Sequence, residues 1–135
     1  MGYDKLGLND KSMVMYRRIL LLDPGNTLAM NNYAYLLSLQ GRDLEMAKKL
    51  ALAAVSDEPD NPVYLDTLGW VLFRLGEYSS ALSYLEKAAL LAPDEEEIVT
   101  HLLHVYEKTG KQEKADRLRE RIERLKGAGA DKSGR

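Results

Sequence analysis

The chain has 135 residues, enough for one domain with its own core and too few for two independent domains. Hydrophobic residues make up 45% and charged residues 30%, a composition that excludes disordered and collagen-like chains. The formal net charge is −2, from 19 basic and 21 acidic residues, so no excess positive charge favours nucleic acid as a partner. The absence of Cys excludes disulfides and thiolate chemistry but leaves both cytoplasm and periplasm open as locations.

Membrane insertion is not expected from the apolar pattern. The longest apolar runs, such as Ile19 to Leu22, are far shorter than the roughly 20 residues that a membrane-spanning helix needs. No basic segment followed by an apolar one marks a targeting signal at the start of this chain.

The sequence repeats itself with a period of 34 residues. A shift by this number superimposes turn residues and small residues: Pro59 on Pro93, Gly76 on Gly110, Ala47 on Ala81, Ala54 on Ala88, and Ala81 on Ala115. Between Pro24 and Pro59 the spacing is 35, and the extra residue precedes Ala47. A period of this length predicts an array built from one supersecondary unit.

The first segment, residues 3–25, matches only part of a repeat. Tyr3 and Gly7 are spaced like the end of the first helix in the last repeat, and a second helix is predicted over residues 10–22. Most of a first helix would lie upstream, so we expect this chain to be a piece of something larger. Apolar residues such as Met13 or Ile19 would then be exposed, which predicts self-association at the N-terminal end.

Complete repeats are predicted at residues 26–60, 61–94 and 95–127, with two helices in each. In the middle repeat, apolar residues recur at helical spacing from Leu65 to Leu75 and again from Leu82 to Ala89. The expected core residues of this repeat are Leu65, Leu68, Leu72, Ala81, Leu85 and Ala88.

The predicted helix ends have residues that commonly cap or terminate helices. Asn61 is a candidate N-cap with Pro62 in the first turn, and Gly76 and Gly110 suit the left-handed stop. Asp94 and the three Glu residues that follow it resemble a cap with an acidic first turn, although a cation site is an alternative interpretation.

The pattern of the middle repeat resembles the tetratricopeptide repeat. The matching residues are Leu65-x-x-Leu68-Gly69-x-x-Leu72, then Ala81-x-x-x-Leu85, then Pro93. The resemblance implies an all-α fold, a right-handed α-solenoid of about seven helices in antiparallel pairs. It makes residues 1–127 a single domain and leaves residues 128–135 as a disordered tail. Tyr64 to Trp70 and Arg74 to Gly76 also resemble bacterial members of the family.

The last repeat departs from the family pattern at two positions. Leu103 stands where Gly allows close helix contact, and Arg119 stands where an aromatic ring is usual. We therefore expect this repeat to pack more loosely or to end the array. Its last helix has a polar outer face that suits the terminal repeat of a solenoid.

Motifs for catalysis or metal binding are missing from the sequence. No Gly-x-Ser-x-Gly elbow, Gly-rich phosphate loop or HExxH motif is found. His101 and His104 are three residues apart on one predicted helix, but a zinc site needs three or four ligands. The sequence thus predicts no cofactor, no metal and no enzymatic activity.

A partner surface is predicted on the first helix of each repeat, opposite its buried stripe. At 100° per residue, Asp66, Trp70 and Phe73 of the middle repeat point away from Leu65, Leu68 and Leu72, and Arg74 borders them. Positions that match them in the other repeats are Asn31, Tyr35, Thr100, His101, His104, Glu107 and Lys108. That this surface lines a concave groove for peptides or helices is what the resemblance implies. The alternative is that Trp70 packs against a neighbouring helix.

The predicted function is a scaffold that binds a peptide or helix of a protein partner. We expect a mostly apolar segment with some basic character, because Asp66 and Glu107 would repel a terminal carboxylate. Trp70 fluorescence should report its binding, which should change near pH 6 to 7, where His titrates. The alternative function is a structural spacer or oligomerisation segment of a larger repeat protein.

Overall fold

The computed structural model describes residues 2–133, with side chains described for residues 10–128. Over this range the chain forms seven α-helices and no strand, which confirms the all-α prediction. The helices pack as antiparallel pairs in a right-handed solenoid, and their bounds are α1 Gly2–Leu22, α2 Thr27–Gln40, α3 Leu44–Asp57, α4 Pro62–Arg74, α5 Tyr78–Leu91, α6 Glu96–Lys108 and α7 Gln112–Ser133.

The ends of the middle helices form as the sequence predicts. The side-chain oxygen of Asn61 accepts hydrogen bonds from the backbone N–H groups of Val63 and Tyr64, at 3.0 and 3.2 Å, and Pro62 opens α4. Gly76 and Gly110 adopt the left-handed conformation, with φ of 83° and 74°. These two glycines end α4 and α6 because a residue with a side chain rarely adopts this backbone.

The predicted cap at Asp94 is wrong. Helix α6 begins at Glu96, and its N-cap is Glu95, whose side chain makes no capping hydrogen bond. The acidic first turn is nevertheless present, because Glu96 and Glu97 occupy it and their charges complement the helix macrodipole.

The buried core runs along the whole array. The six core residues predicted for the middle repeat are all buried, as are matching residues of the neighbouring repeats such as Leu37, Val99 and Ala115. Helices α4 and α5 come especially close, because a Cβ added at Gly69 would lie 2.6 Å from Cγ of Leu85. The predicted close contact at this glycine is therefore present.

The first helix differs from its prediction in two ways. Helix α1 runs unbroken from Gly2 to Leu22, so no helix ends at Gly7. A single Gly inside a helix costs only about 1 kcal/mol relative to Ala, which the flanking residues offset. Met13 is buried at 2% exposure and Ile19 is half-buried, whereas Leu21 and Leu22 at the end of the helix are largely exposed.

The last helix also extends further than expected. Helix α7 reaches Ser133, where the sequence predicts a disordered tail over 128–135. The segment has no Pro, and the helix continues through Gly129. Residues 134 and 135 lie outside the described part of the chain. The repeat boundaries themselves stay predictions.

One hydrogen bond recurs from repeat to repeat. Nζ of Lys87 on α5 donates to the backbone carbonyl of Pro59 at 3.3 Å, and a guanidinium N–H of Arg121 on α7 donates to the carbonyl of Pro93. Each bond spans 28 residues and ties a second helix to the turn before its own repeat. Within residues 2–133, none of the helices has the length and apolar character needed to cross a membrane.

Candidate functional site

The first helices of the three repeats, α2, α4 and α6, lie side by side. Helix α4 contacts both α2 and α6, so residues on one face of these helices form a continuous surface. We call this surface, with Tyr35, Trp70, Phe73 and His104 on it, the groove face. The buried stripes of the same helices fix its orientation, because Leu37, Leu65 and Val99 point into the core on the other side.

Aromatic rings cluster on the groove face around Trp70. Its ring stacks on Phe73 at 4.9 Å between centroids and on His101 of α6 at 4.3 Å, and His104 lies tilted at 5.8 Å. Both alternatives for Trp70 therefore hold in part, since it is half-buried on this face and also packs against the neighbouring helix. Trp70, Phe73, His101 and His104 are the aromatic cluster.

The indole nitrogen of Trp70 has an unusual environment. Nε1 is buried, and no hydrogen-bond partner is found for it among the described residues. A buried donor without a partner costs about 1–3 kcal/mol. The stacking on His101 and Phe73 therefore stabilises a ring position in which the indole N–H makes no hydrogen bond.

Asp66 and His101 form a buried pair under the aromatic cluster. Nδ1 of His101 and Oδ1 of Asp66 lie 2.8 Å apart, within hydrogen-bond distance, and both side chains are at least 90% buried. Burial raises the pKa of Asp66, and the hydrogen bond from His101 opposes this rise only in part. The sequence predicted that both residues would face a partner, whereas in the structure they connect the middle repeat to the last one.

A small polar cavity lies between α2, α4 and the start of α6. Its volume is about 140 Å³, and its polar lining includes Asn31, Tyr35, Asp66, Glu95 and Glu97. The hydroxyl of Tyr35 donates to Oε1 of Glu97 at 2.5 Å, and burial together with this carboxylate raises the pKa of Tyr35. Oδ1 of Asn31 is buried and unpartnered in the described structure, while its Nδ2 donates to Asn32.

The remaining predicted residues lie around this centre. Arg74 is exposed and its guanidinium lies against Gly41, at the end of α2. Lys108 is exposed near the end of α6, and Thr100 is half-buried. Glu107 pairs with Arg119 at 2.7 Å and lies 3.9 Å from His104, so its charge is already compensated within the last repeat.

Three ligand-type side chains converge at the cavity and its floor. Asp66, Glu97 and His101 offer potential metal ligands within 4.8 Å of one another. Nδ1 of His101 is already paired with Asp66. The expectation of no metal from the sequence concerned a different pair, His101 with His104. The absence of a metal therefore stays a prediction.

Sequence reasoning missed two members of this site, Glu97 and Asn32. Glu97 was read only as part of an acidic first turn, and its partner Tyr35 is 62 residues away. Asn32 accepts from Asn31 and donates to the hydroxyl of Tyr16 at 3.2 Å. No local pattern signals either contact, because both depend on how neighbouring repeats are rotated against each other.

The fold and the repeat pattern define a class of protein. A family model described as tetratricopeptide repeat matches residues 2–126, and the chain belongs to this family. Members of the family are in general interaction scaffolds that bind other proteins and have no enzymatic activity of their own.

The chain is similar to several known proteins and solved structures. The chain is 34% identical over 86 residues to a TPR repeat-containing protein of Pseudomonas aeruginosa, a match that covers 64% of this chain and 14% of that protein. Among solved structures, it resembles a MamA fragment of Desulfovibrio magneticus RS-1, with a TM-score of 0.78, 18% identity and coverage of 93% and 70%. A thermophilic TPR protein of Thermus thermophilus gives a TM-score of 0.79, 20% identity and coverage of 92% and 69%. These structural similarities show the fold alone.

Proposed function

We propose that this chain binds an extended peptide or a helix of a partner protein on its groove face. The observation that carries the proposal is the aromatic cluster. Trp70 and Phe73 are the only Trp and the only Phe of the chain, and both lie half-buried on this face. Aromatic rings of this kind are common anchors of protein interfaces.

The charges around the cluster suggest the chemistry of the partner segment. Asp66, Glu95 and Glu97 place carboxylates around the cavity that Tyr35 also lines, while Arg74 and Lys108 are exposed. A segment that is mostly apolar, with some basic character, would match this distribution. A terminal carboxylate would be repelled by the same acidic groups.

Affinity capture tests the proposal. The wild-type chain and a Trp70→Ala/Phe73→Ala variant are immobilised, and lysate of the source cells is passed over both. We expect the variant to retain less than about one tenth of the captured partner, since loss of one interface anchor typically costs about 2 kcal/mol or more. Circular dichroism should show unchanged helicity.

A matched control uses apolar residues outside the groove face. Leu90 and Leu91 on α5 are exposed, so Leu90→Ala/Leu91→Ala removes a similar number of apolar residues from another surface. Capture should be unaffected by this variant. If capture depends on Leu90 and Leu91 and not on the aromatic cluster, the groove proposal is wrong. A structural spacer would capture nothing specific with any of the three proteins.

A further inference from the structure

The small cavity beside the aromatic cluster has the composition of a receptor for a cation. Its nine lining residues, all of them described by the structure, include three carboxylates and no Lys or Arg. Asp66 lies at the cavity floor, and Glu97 is exposed at its edge. A positively charged group entering here would meet several acceptors and neither Lys nor Arg among the lining residues.

Asn31 supplies an independent indication that the cavity receives hydrogen-bond donors. Its side chain is 2% exposed, it lines the cavity, and its Oδ1 has no partner within the described structure. Because its Nδ2 is engaged with Asn32 at 3.1 Å, the amide is oriented with its acceptor free. Buried acceptors are nearly always paired, so a missing donor is the expected explanation.

We propose that the cavity binds a single Lys or Arg side chain of the partner, with donors to Oδ1 of Asn31 and to the carboxylates of Asp66 and Glu97. This inference rests on the proposed function and specifies one residue of the partner segment. An ammonium has three N–H donors, which matches these three acceptors, and a guanidinium has five. Apolar neighbours of the cationic residue would lie on Trp70 and Phe73.

A metal ion fits the same residues less well. Nδ1 of His101 lies 2.8 Å from Oδ1 of Asp66, so an ion that used both atoms as ligands would break this contact. Asn31 would add a neutral amide oxygen, a ligand suited to hard cations and not to the imidazole-preferring metals. The side chain of a partner can bind without breaking the contact between Asp66 and His101.

Capped amino acids provide a direct test by NMR on the full chain. N-acetyl-arginine amide and N-acetyl-lysine amide are titrated separately, with N-acetyl-norleucine amide as the uncharged probe. We expect saturable shifts of the Asn31 side-chain amide signals with one or both basic probes and none with the uncharged probe. The probe that binds tells which cationic side chain the cavity prefers.

Charge-only variants locate the binding. Glu97→Gln should weaken the basic probe about threefold to tenfold, the range for one partly exposed ion pair. Glu96→Gln is the matched control, because Glu96 lies on the same helical turn but pairs with Lys126 at 3.9 Å. Equal effects of the two variants, or shifts with the uncharged probe, would overturn the cavity assignment. Stoichiometric Zn²⁺ binding at Asp66, Glu97 and His101 without a response to either basic probe would also overturn it.

Selection of random peptides displayed on phage separates this inference from the proposed function. If both hold, peptides selected on the wild-type chain share one Lys or Arg beside apolar residues, and selection on Glu97→Gln loses that preference. Peptides that depend on Trp70 and Phe73 but share no basic residue would support the groove and overturn the cavity inference. If the selection yields no peptide but the Asn31 signals still respond to the basic probe, the groove proposal is refuted and the cavity inference stands.

Discussion

The middle and the last repeat have the same plan, but the residue at the contact point between their two helices is different. In the middle repeat Gly69 lets α4 lie against Leu85 of α5. In the last repeat the matching residue is Leu103, whose side chain is half-buried between α6 and α7. The contact between α4 and α5 is the most extensive of any helix pair, and that between α6 and α7 is much smaller.

Open space accompanies this difference. Two grooves of about 530 and 430 Å³ border α7, one lined by Leu90, Leu102 and Leu118, the other by Leu103 and Ile122. Leu103 thus lines one of the two grooves, at the position where Gly69 makes a close contact in the middle repeat.

The largest effect is expected for truncation of Leu85. Leu85 is fully buried, so Leu85→Ala should lower the free energy of unfolding by about 2–5 kcal/mol. Leu103→Ala removes the same atoms from a half-buried position and should cost only about 1–2 kcal/mol. Urea unfolding followed by circular dichroism measures both values. Equal losses would contradict the difference in packing between the two repeats.

Gly69→Ala tests the close contact itself. The new Cβ would lie 2.6 Å from Cγ of Leu85, a branch point that cannot swing away, so we expect a loss of about 1–3 kcal/mol. Gly127→Ala is the matched control, because Gly127 is also helical but has no neighbour within 4 Å. That variant should gain up to about 1 kcal/mol from helix propensity.

A double-mutant cycle sharpens this prediction. In a Leu85→Ala background the obstacle to the new Cβ is gone, so Gly69→Ala should be much less harmful than in the wild type. We expect a favourable coupling of about 1 kcal/mol or more between the two substitutions. Strictly additive effects would show that something other than Leu85 limits position 69.

The buried pair that joins the middle and last repeats predicts a smaller, pH-dependent effect. Burial raises the pKa of Asp66 in the folded chain above its value in the unfolded chain. The folded state therefore binds more protons, and the free energy of unfolding falls as pH rises through the window between the ordinary and the raised pKa. The free energy of unfolding of the wild type, compared with that of Asp66→Asn, should fall as the pH is raised above about 4. A relative gain over that range, measured by urea unfolding, would contradict the sign.

The smallest effect is expected for Trp70→Phe. This change keeps a ring for stacking on Phe73 and His101 and removes the buried N–H that has no partner in the described structure. The lost unpaired donor offsets the lost ring area, so stability should change by less than about 1 kcal/mol. A thermal unfolding curve measures this, and a loss of several kcal/mol would indicate a hydrogen bond that forms in solution.

Local features of this molecule, such as helix ends, could be predicted from the sequence. Side-chain contacts between different repeats could not. Gly76 and Gly110 end helices because the left-handed backbone is a property of the residue itself. The position of Asp66 was predicted from its angle on α4, but its burial depends on His101, which reaches it from a different helix. The angle of a residue on its helix predicts the direction of the side chain. It does not predict which residue of another helix the side chain will contact.

The wrong predictions have similar causes. The cap at Asp94 failed because the N-cap is Glu95, one residue later, a shift within the usual uncertainty of helix ends. Met13 was expected to be exposed, yet it joins the core cluster and its sulfur lies 3.9 Å from Nη2 of Arg42. The expectation followed from a missing neighbour on one side of α1, whereas α2 covers the side that carries Met13.

The recurring bond joins Lys87 to Pro59 and Arg121 to Pro93. In both repeats it therefore requires the same number of residues between the basic side chain and the proline. One residue inserted into α5 before Lys87, or into α7 before Arg121, would turn the basic side chain by about 100° and break the bond. In the first repeat the matching position is Ala53, whose side chain has no hydrogen-bond donor and cannot form this bond. The extra residue of this array, between Gly41 and Ala47, lies in that repeat. The extra residue of the array thus falls in the repeat that lacks this basic side chain.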